Sequence, residues 1–152
     1  MLSSVKRLAL LGIAVVAVLA ACGGSSSGTT SSGANQAAQV KQVWTSFFSA
    51  KTPAAKKPAL LQDGSKFAST ISALSSNPLA RKLSAKVSKV TFHGANRATV
   101  VYTVYLGTTP ALKNQSGTAV KQNGSWKVGY ASLCRLLTLE GSTPAACKSA
   151  GG

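Results

Sequence analysis

The apolar residues of this chain change their spacing partway along its length, and this change constrains the fold more than any other feature. In the first half, an apolar stripe recurs at positions i, i+3, i+4, i+7 and i+8, which is the spacing of one face of an α-helix. The stripe consists of Val40, Val43, Trp44, Phe47 and Phe48. It predicts an amphipathic helix over residues 37–50.

The segment after this helix predicts shorter helical pieces. Pro53 and Pro58 interrupt the helical pattern, and residues 59–62 form a short apolar segment between turn residues. Ser65 can cap a further helix, which Pro78 ends. The apolar positions of that helix are Phe67, Ile71 and Leu74.

From about residue 87 the apolar residues alternate with a period of two, which is typical of β-strands. The alternation is clearest at Val100, Tyr102, Val104 and Leu106. Other strands are predicted over residues 87–92, around Thr118 and Val120, and at Trp126, Val128 and Tyr130. Asn123-Gly124 is a strong signal for a two-residue hairpin turn. Helices followed by four antiparallel strands predict a single α+β domain over residues 37–152.

Residues 1–21 predict an export signal. Lys6 and Arg7 precede an apolar run over residues 8–21, which is shorter than the roughly 20 residues that cross a bilayer as a helix. The run ends in LAAC at residues 19–22, which resembles the bacterial lipobox, whose cysteine thiol receives a diacylglycerol. The sequence therefore predicts a lipoprotein precursor that is cut before Cys22. Ordinary signal cleavage, which leaves a free cysteine in the released chain, is the alternative.

Lipid on Cys22 implies a chain held at the outer face of the cytoplasmic membrane after export by the general secretory route, because two or three acyl chains bind a bilayer firmly. Residues 22–36 are rich in Gly, Ser and Thr and predict a flexible tether of about 20 Å. The formal net charge is +15, and it becomes +13 once Lys6 and Arg7 are removed with the export signal, so the expected partners are the membrane and an anionic lipid or cell-wall polymer. A cationic surface that is merely solvated is the alternative. Dense basic runs and aromatic-rich motifs are lacking, so no nucleic acid is expected.

Two further cysteines, Cys134 and Cys147, lie near the C-terminus. In an exported domain such a pair predicts a disulfide, with two free thiols as the alternative. A metal site needs more ligands than this pair, and the chain has a single histidine, His93. The sequence therefore predicts neither a metal nor another cofactor.

Several short motifs, taken in their order along the chain, resemble those of one family. In the first half they are Val43-Trp44, Phe47-Phe48, Leu60-Leu61-Gln62-Asp63-Gly64, Phe67 and Asn77-Pro78-Leu79. In the second half they are Gly124-Ser125-Trp126-Lys127-Val128, Cys134-Arg135-Leu136-Leu137 and Pro144-Ala145-Ala146-Cys147. Through these motifs, residues 39–148 resemble the low-molecular-weight secreted antigen family of mycobacteria and related actinobacteria. The lipobox at Cys22 departs from the secreted members.

This resemblance implies a nuclear transport factor 2-like fold, in which a curved antiparallel sheet wraps around helices to form a cone. A cone implies a potential cavity, and aromatic side chains are candidates to line it, although aromatic residues at these spacings more often form plain core. The candidates are Trp44, Phe48, Tyr102, Tyr105, Trp126 and Tyr130. The family brings no catalytic motif to carry over.

Acid–base catalysis has few candidate residues, because the chain holds only two acids, Asp63 and Glu140, besides His93. All three stand at positions typical of turns or surfaces. The sequence therefore predicts no enzyme, but a binding or structural module for an anionic or amphiphilic envelope component. Two alternatives stay open: a small curved-sheet enzyme that uses Asp63 or His93 as a base on a lipid or wall intermediate, and an accessory subunit of an envelope complex, including a homodimer.

Overall fold

The computed structural model describes residues 28–149, so Cys22 and the predicted export signal lie outside the described residues. The described α-helices are α1 (Gly28–Phe48), α2 (Ala68–Ser76), α3 (Tyr130–Leu139) and α4 (Ala145–Ser149). The strands are β1 (Leu83–Phe92), β2 (Arg97–Leu106), β3 (Thr109–Gln122) and β4 (Ser125–Val128). The 3₁₀ segments are Ala54–Leu60, Gly64–Phe67 and Pro78–Lys82. The helices pack against a curled four-stranded antiparallel half-barrel, which confirms the predicted α+β fold.

Helix α1 carries the predicted apolar stripe, and all five of its members are buried. The helix spans Gly28–Phe48, so it begins earlier than the predicted residue 37, and residues 22–27 of the predicted tether lie outside the described residues. Helix growth explains the difference. Once the packed stripe has formed the first turns, each further residue adds a backbone hydrogen bond without a new nucleation cost, so weak helix formers such as Ser and Thr can continue the helix.

The sheet runs in the order β1-β2-β3-β4 and curls around α1, which packs against β1 and β4. The inward face of β2 is buried and consists of Ala98, Val100, Tyr102 and Val104. The pairing register shifts between Val87 and Lys89 in β1, and it shifts again where Tyr102–Tyr105 of β2 pair with β3, which carries the extra residues. Such bulges bend the strands that carry them, and here they accompany the curl of the sheet.

Two local turn predictions have different outcomes. Asn123 and Gly124 adopt positive φ angles of 52° and 78° between β3 and β4, which confirms the predicted hairpin. Ser65, in contrast, does not cap α2, because the N-cap position is Phe67 and Ser65 lies within a 3₁₀ turn. The turn is tight because Gly64 approaches the Pro58 carbonyl so closely that a Cβ at Gly64 would collide with it.

The end of the sheet also differs from the prediction, because Tyr130 is the first residue of α3 rather than a residue of the fourth strand. The chain turns at Gly129, whose N–H donates to the Thr118 carbonyl at 2.6 Å. The Ser132 hydroxyl in α3 accepts a hydrogen bond from the Thr118 N–H at 2.8 Å. These bonds hold α3 against β3, and α3 buries Leu133 and Leu137 in the core.

The predicted disulfide is confirmed: Cys134 in α3 is bonded to Cys147 in α4. Helix α4 has no fully buried residue, but Ala146 and Cys147 are partly buried against the core, so the bond and this limited packing together attach α4 to the domain. Within residues 28–149, every helix is too short or too polar to cross a lipid bilayer.

Replacing both cysteines, Cys134→Ser with Cys147→Ser, is expected to lower the free energy of unfolding by about 3 kcal/mol, because the unfolded chain gains the entropy of an open loop. Urea denaturation of the two proteins measures this difference. Hydrogen exchange provides the local control, since α4 should lose its protection while α1 keeps it. Equal stability of the two proteins would contradict a structural role for the bond.

Candidate functional site

A cavity of about 610 Å³ opens at one end of the half-barrel. Its volume lies within the range of about 300–1,000 Å³ typical of small-molecule sites. The start of β1, the end of β2 and the start of β3 meet there, beside the last residues of α1. The walls are mainly aliphatic and include Ile71, Leu74, Leu83, Val104, Leu133 and Leu137. The cavity is therefore suited to an apolar group.

Helical spacing explains how α2 and α3 present these side chains. Leu133, Leu136 and Leu137 lie at i, i+3 and i+4 in α3 and line one wall. Ile71 and Leu74, three residues apart in α2, line another. Phe47 and Phe48 at the end of α1 also line the cavity. Each element thus contributes one apolar face to the same space.

Two large apolar side chains beside the cavity remain in contact with solvent. Leu79 is 57% exposed and Leu139 is 60% exposed, and both line the cavity. They are the exposed large hydrophobic side chains of the described residues. An exposed apolar rim around an apolar cavity is typical of a ligand entrance or an interaction site.

Lys57 is the charged side chain that the fold buries within residues 28–149. It is 9% exposed and lines the cavity from the 3₁₀ segment Ala54–Leu60. Among the described residues, its side chain makes no hydrogen bond or ion pair. Burial lowers the pKa of Lys57 below its ordinary value, because removal from water disfavours the charged ammonium group.

The other polar side chains that line the cavity are Ser75, Asn77 and Glu140. The Asn77 side-chain oxygen accepts a hydrogen bond from the Leu79 N–H at 2.9 Å and so stabilises the 3₁₀ turn that follows. Glu140 is exposed at the end of α3. Lys57 is therefore the buried ionisable group of this cavity.

The six aromatic residues predicted to line a cavity lie in different places. Phe48 lines the 610 Å³ cavity, and Trp126 lines a separate depression of about 350 Å³ between α1 and the β3–β4 turn. Trp44 and Tyr102 are buried in the core. Tyr105 and Tyr130 are half-buried and line neither space. The cavity lining is thus mainly aliphatic, and of the six candidates only Phe48 contributes to it.

Aromatic stacking is the physical reason for this difference. The Trp44 ring lies 4.3 Å from the Tyr102 ring and 5.7 Å from the Phe48 ring, measured between centroids. Aromatic pairs at such distances attract each other beyond the effect of burial alone. They fill the middle of the half-barrel and leave the open space to its end. Burial also raises the pKa of Tyr102 to about 12, although the nearby charge of Arg135 opposes the shift.

The two residues considered as catalytic bases lie away from this cavity. The Asp63 carboxylate accepts a hydrogen bond from the Gln122 side chain at 2.8 Å, and the Asp63 N–H donates to the Gln122 side-chain oxygen at 3.2 Å. The His93 ring bonds to the Thr99 hydroxyl at 2.8 Å. Neither residue lines the cavity. Within residues 28–149, no group of three or more His, Cys, Asp or Glu side chains could hold a metal ion.

Sequence reasoning overlooked most of the residues that form the cavity. The spacing of Leu133, Leu136 and Leu137 could have predicted the helical wall of α3. Lys57 carries no such signal, because its neighbours Lys56 and Pro58 indicate an exposed turn. Its burial follows only from the packing of several distant elements.

The sequence of the described domain matches one described family. Residues 33–144 match the family model described as Low molecular weight antigen MTB12, C-terminal domain. The matched residues include most of α1, the whole sheet and α3. A comparison with curated proteins gives no match.

Proposed function

The chain belongs to the family of the low molecular weight antigen MTB12 C-terminal domain, and on this premise we propose that it is a non-catalytic binding protein of the cell envelope. Lipid on Cys22 anchors it at the outer face of the cytoplasmic membrane. Its domain takes an amphiphilic envelope component into the cavity at the end of the half-barrel.

One observation carries this proposal: an aliphatic cavity whose rim exposes Leu79 and Leu139 to solvent. Exposed apolar surface is costly in water at roughly 25 cal/mol per Å². Covering the rim and filling the walls with an acyl chain removes this cost. The chemistry of the lining therefore favours a lipid-like ligand over a polar polymer.

The charge of the chain is consistent with a ligand from the envelope. Removal of the export signal with Lys6 and Arg7 leaves 15 basic and 2 acidic residues, a net charge of +13, and bacterial envelopes expose anionic lipid headgroups to such a surface. Near a membrane, each Lys or Arg contributes about 1 kcal/mol of attraction to an anionic surface. This attraction would keep the domain close to the bilayer that supplies the ligand.

The non-catalytic part of the proposal is supported by where the candidate bases lie. The Asp63 carboxylate is engaged by Gln122, and the His93 ring bonds to Thr99 at an exposed hairpin. A general base must reach the proton that it removes, and neither group lines the cavity. Glu140 does line it, but lies exposed at the rim.

Ala111→Trp is expected to block the cavity and to reduce the binding of a neutral apolar probe at least tenfold. Ala111 lines the cavity but is exposed on β3, so the indole can enter the space without disturbing the core. The measurement is the fluorescence of N-phenyl-1-naphthylamine titrated with the mature chain carrying Cys22→Ser, which needs no detergent.

The matched control is Ala73→Trp, which places the same side chain at an exposed position of α2 that does not line the cavity. This variant should bind the probe as the parent chain does. No probe binding by the parent chain would refute the proposed cavity function. Equal binding by the parent and Ala111→Trp chains would show that the probe binds elsewhere and would equally refute it.

A further inference from the structure

We propose that the cavity selects amphiphiles with an anionic head, and that the ammonium group of Lys57 binds this head while the aliphatic walls take the acyl chain. This inference rests on the proposed function and adds the ligand class and the residue that recognises it. A carboxylate head and a phosphate head both present anionic oxygens to the ammonium group.

Lys57 is largely buried and its ammonium group has no partner in the described part of the chain. The side chain is 9% exposed, and within residues 28–149 it has neither a hydrogen bond nor an ion pair. Its Nζ keeps some contact with solvent, since the fully buried side-chain nitrogens without a partner are those of Trp44 and Trp126. A buried cation is costly unless an anion or hydrogen-bond acceptors compensate for the lost water. An anionic head inside the cavity would supply that partner.

The described part of the chain does not supply an anionic partner for Lys57. Its acidic side chains are Asp63 and Glu140. Asp63 is engaged by Gln122 and does not line the cavity. Glu140 lines the cavity but forms no ion pair with Lys57 among the described residues. The positive charge is therefore left for a bound molecule.

Glu140 could repel an anionic ligand. Whether this repulsion exceeds the attraction to Lys57 depends on how deeply each charge is buried. Glu140 is exposed, so water and salt screen its charge. Lys57 is buried, where the lower effective dielectric makes a charge interaction several times stronger than in water. Attraction to Lys57 should therefore exceed repulsion from Glu140.

A lysine can also be buried simply because its methylene stem packs against apolar neighbours. Lys57→Met separates this packing role from the role of the charge, because methionine keeps an unbranched apolar stem and removes the ammonium. Replacing an unpaired buried cation with an apolar side chain should not lower stability. The adjacent Lys56 is exposed and does not line the cavity, so Lys56→Met is the matched control for net charge.

The experiment measures displacement of N-phenyl-1-naphthylamine from the mature Cys22→Ser chain by dodecanoate, dodecyl phosphate and dodecanol, each below its aggregation concentration. The parent chain should bind at least one of the two anions about tenfold more tightly than the alcohol, in line with a charge-assisted hydrogen bond. Lys57→Met should lose this preference and retain its affinity for dodecanol. Lys56→Met should keep the preference, and thermal unfolding should show that both variants are folded.

Three other outcomes would overturn a defined part of the proposal, and a fourth would support it. If the parent chain binds dodecanol as tightly as both anions, the role of Lys57 is refuted and the cavity function stands. If the preference for anions survives Lys57→Met, surface cations cause it and the assignment to Lys57 is wrong. If neither the probe nor any of the three amphiphiles binds, the proposed function itself fails. A preference for one anion alone supports the proposal and identifies the head as carboxylate or phosphate.

Discussion

Replacing Trp44 with alanine is expected to lower the free energy of unfolding by about 3–5 kcal/mol, the cost of truncating a large buried aromatic side chain. Trp44 is 0% exposed and packs against Phe48 and Tyr102. Its ring also fills the space beside Gly117, where a Cβ would collide with it. Because α1 and the sheet hold these neighbours in place, they cannot close the space that alanine leaves. Urea denaturation followed by circular dichroism measures the loss.

Trp44→Phe is the matched control for this prediction. It keeps an aromatic ring against Phe48 and Tyr102, and it removes the indole N–H, which is buried without a hydrogen-bond partner in the described part of the chain. Loss of an unsatisfied donor offsets part of the lost packing. The decrease should therefore be less than half of that for Trp44→Ala. A decrease below about 1 kcal/mol for Trp44→Ala would contradict the central role of Trp44 in the core.

The parts of the fold that were predictable from the sequence are those with a long, regular apolar pattern. The stripe of α1 and the alternation along β2 each extend over many residues, and both are buried as predicted. Asn123-Gly124 was predictable because its turn requires positive φ, which few residues adopt at low cost. Such signals are local, so they do not depend on the rest of the fold.

The parts that differ from prediction depend on tertiary contacts. Tyr130 continues the alternation of Trp126 and Val128, yet the chain turns into a helix at Gly129. The turn follows from close approach to Thr118, whose carbonyl leaves no room for a Cβ at Gly129. The sequence around Gly129 does not indicate that the backbone of Thr118 will lie beside it. The start of α1 at Gly28 likewise depends on packing further along the helix rather than on the propensity of its first residues.

The candidate site was less predictable than the fold. The sequence suggested aromatic side chains as the lining, and of these only Phe48 reaches the 610 Å³ cavity. Aromatic rings attract one another and fill the centre, so the unfilled end is left to leucines from separate elements. Lys57 illustrates the same limit, because the 3₁₀ segment that carries it packs against α1, α2 and β4, which are distant in the sequence.

The cavity and the predicted lipid anchor place different demands on the chain. A ligand in the cavity is held by reversible contacts, so it can enter and leave. The anchor must persist, which a single acyl chain cannot ensure but two or three can. The two can therefore be separated experimentally: the anchor depends on one sulfur atom outside the described residues, and the cavity depends on side chains within them.

Cys22→Ser is expected to move the chain almost completely from the membrane fraction to the soluble fraction. A serine at this position offers no thiol, so the thioether to diacylglycerol cannot form. Each buried methylene contributes about 0.8 kcal/mol to anchoring, and all of these contributions are lost together. What remains is attraction between the cationic domain and anionic lipid, which salt screens. Fractionation of cells followed by a high-salt wash of the membranes measures the change.

Ser27→Ala is the matched control for the anchor, because it alters a side chain in the same polar tract and leaves residues 19–22 intact. This variant should stay in the salt-washed membranes. Mass spectrometry of the parent chain should find acyl groups at Cys22 and none in Cys22→Ser. Retention of Cys22→Ser in the salt-washed membranes would contradict the anchor. Binding of the neutral probe by the Cys22→Ser chain tests the cavity separately, because this binding depends on the cavity and not on the lipid.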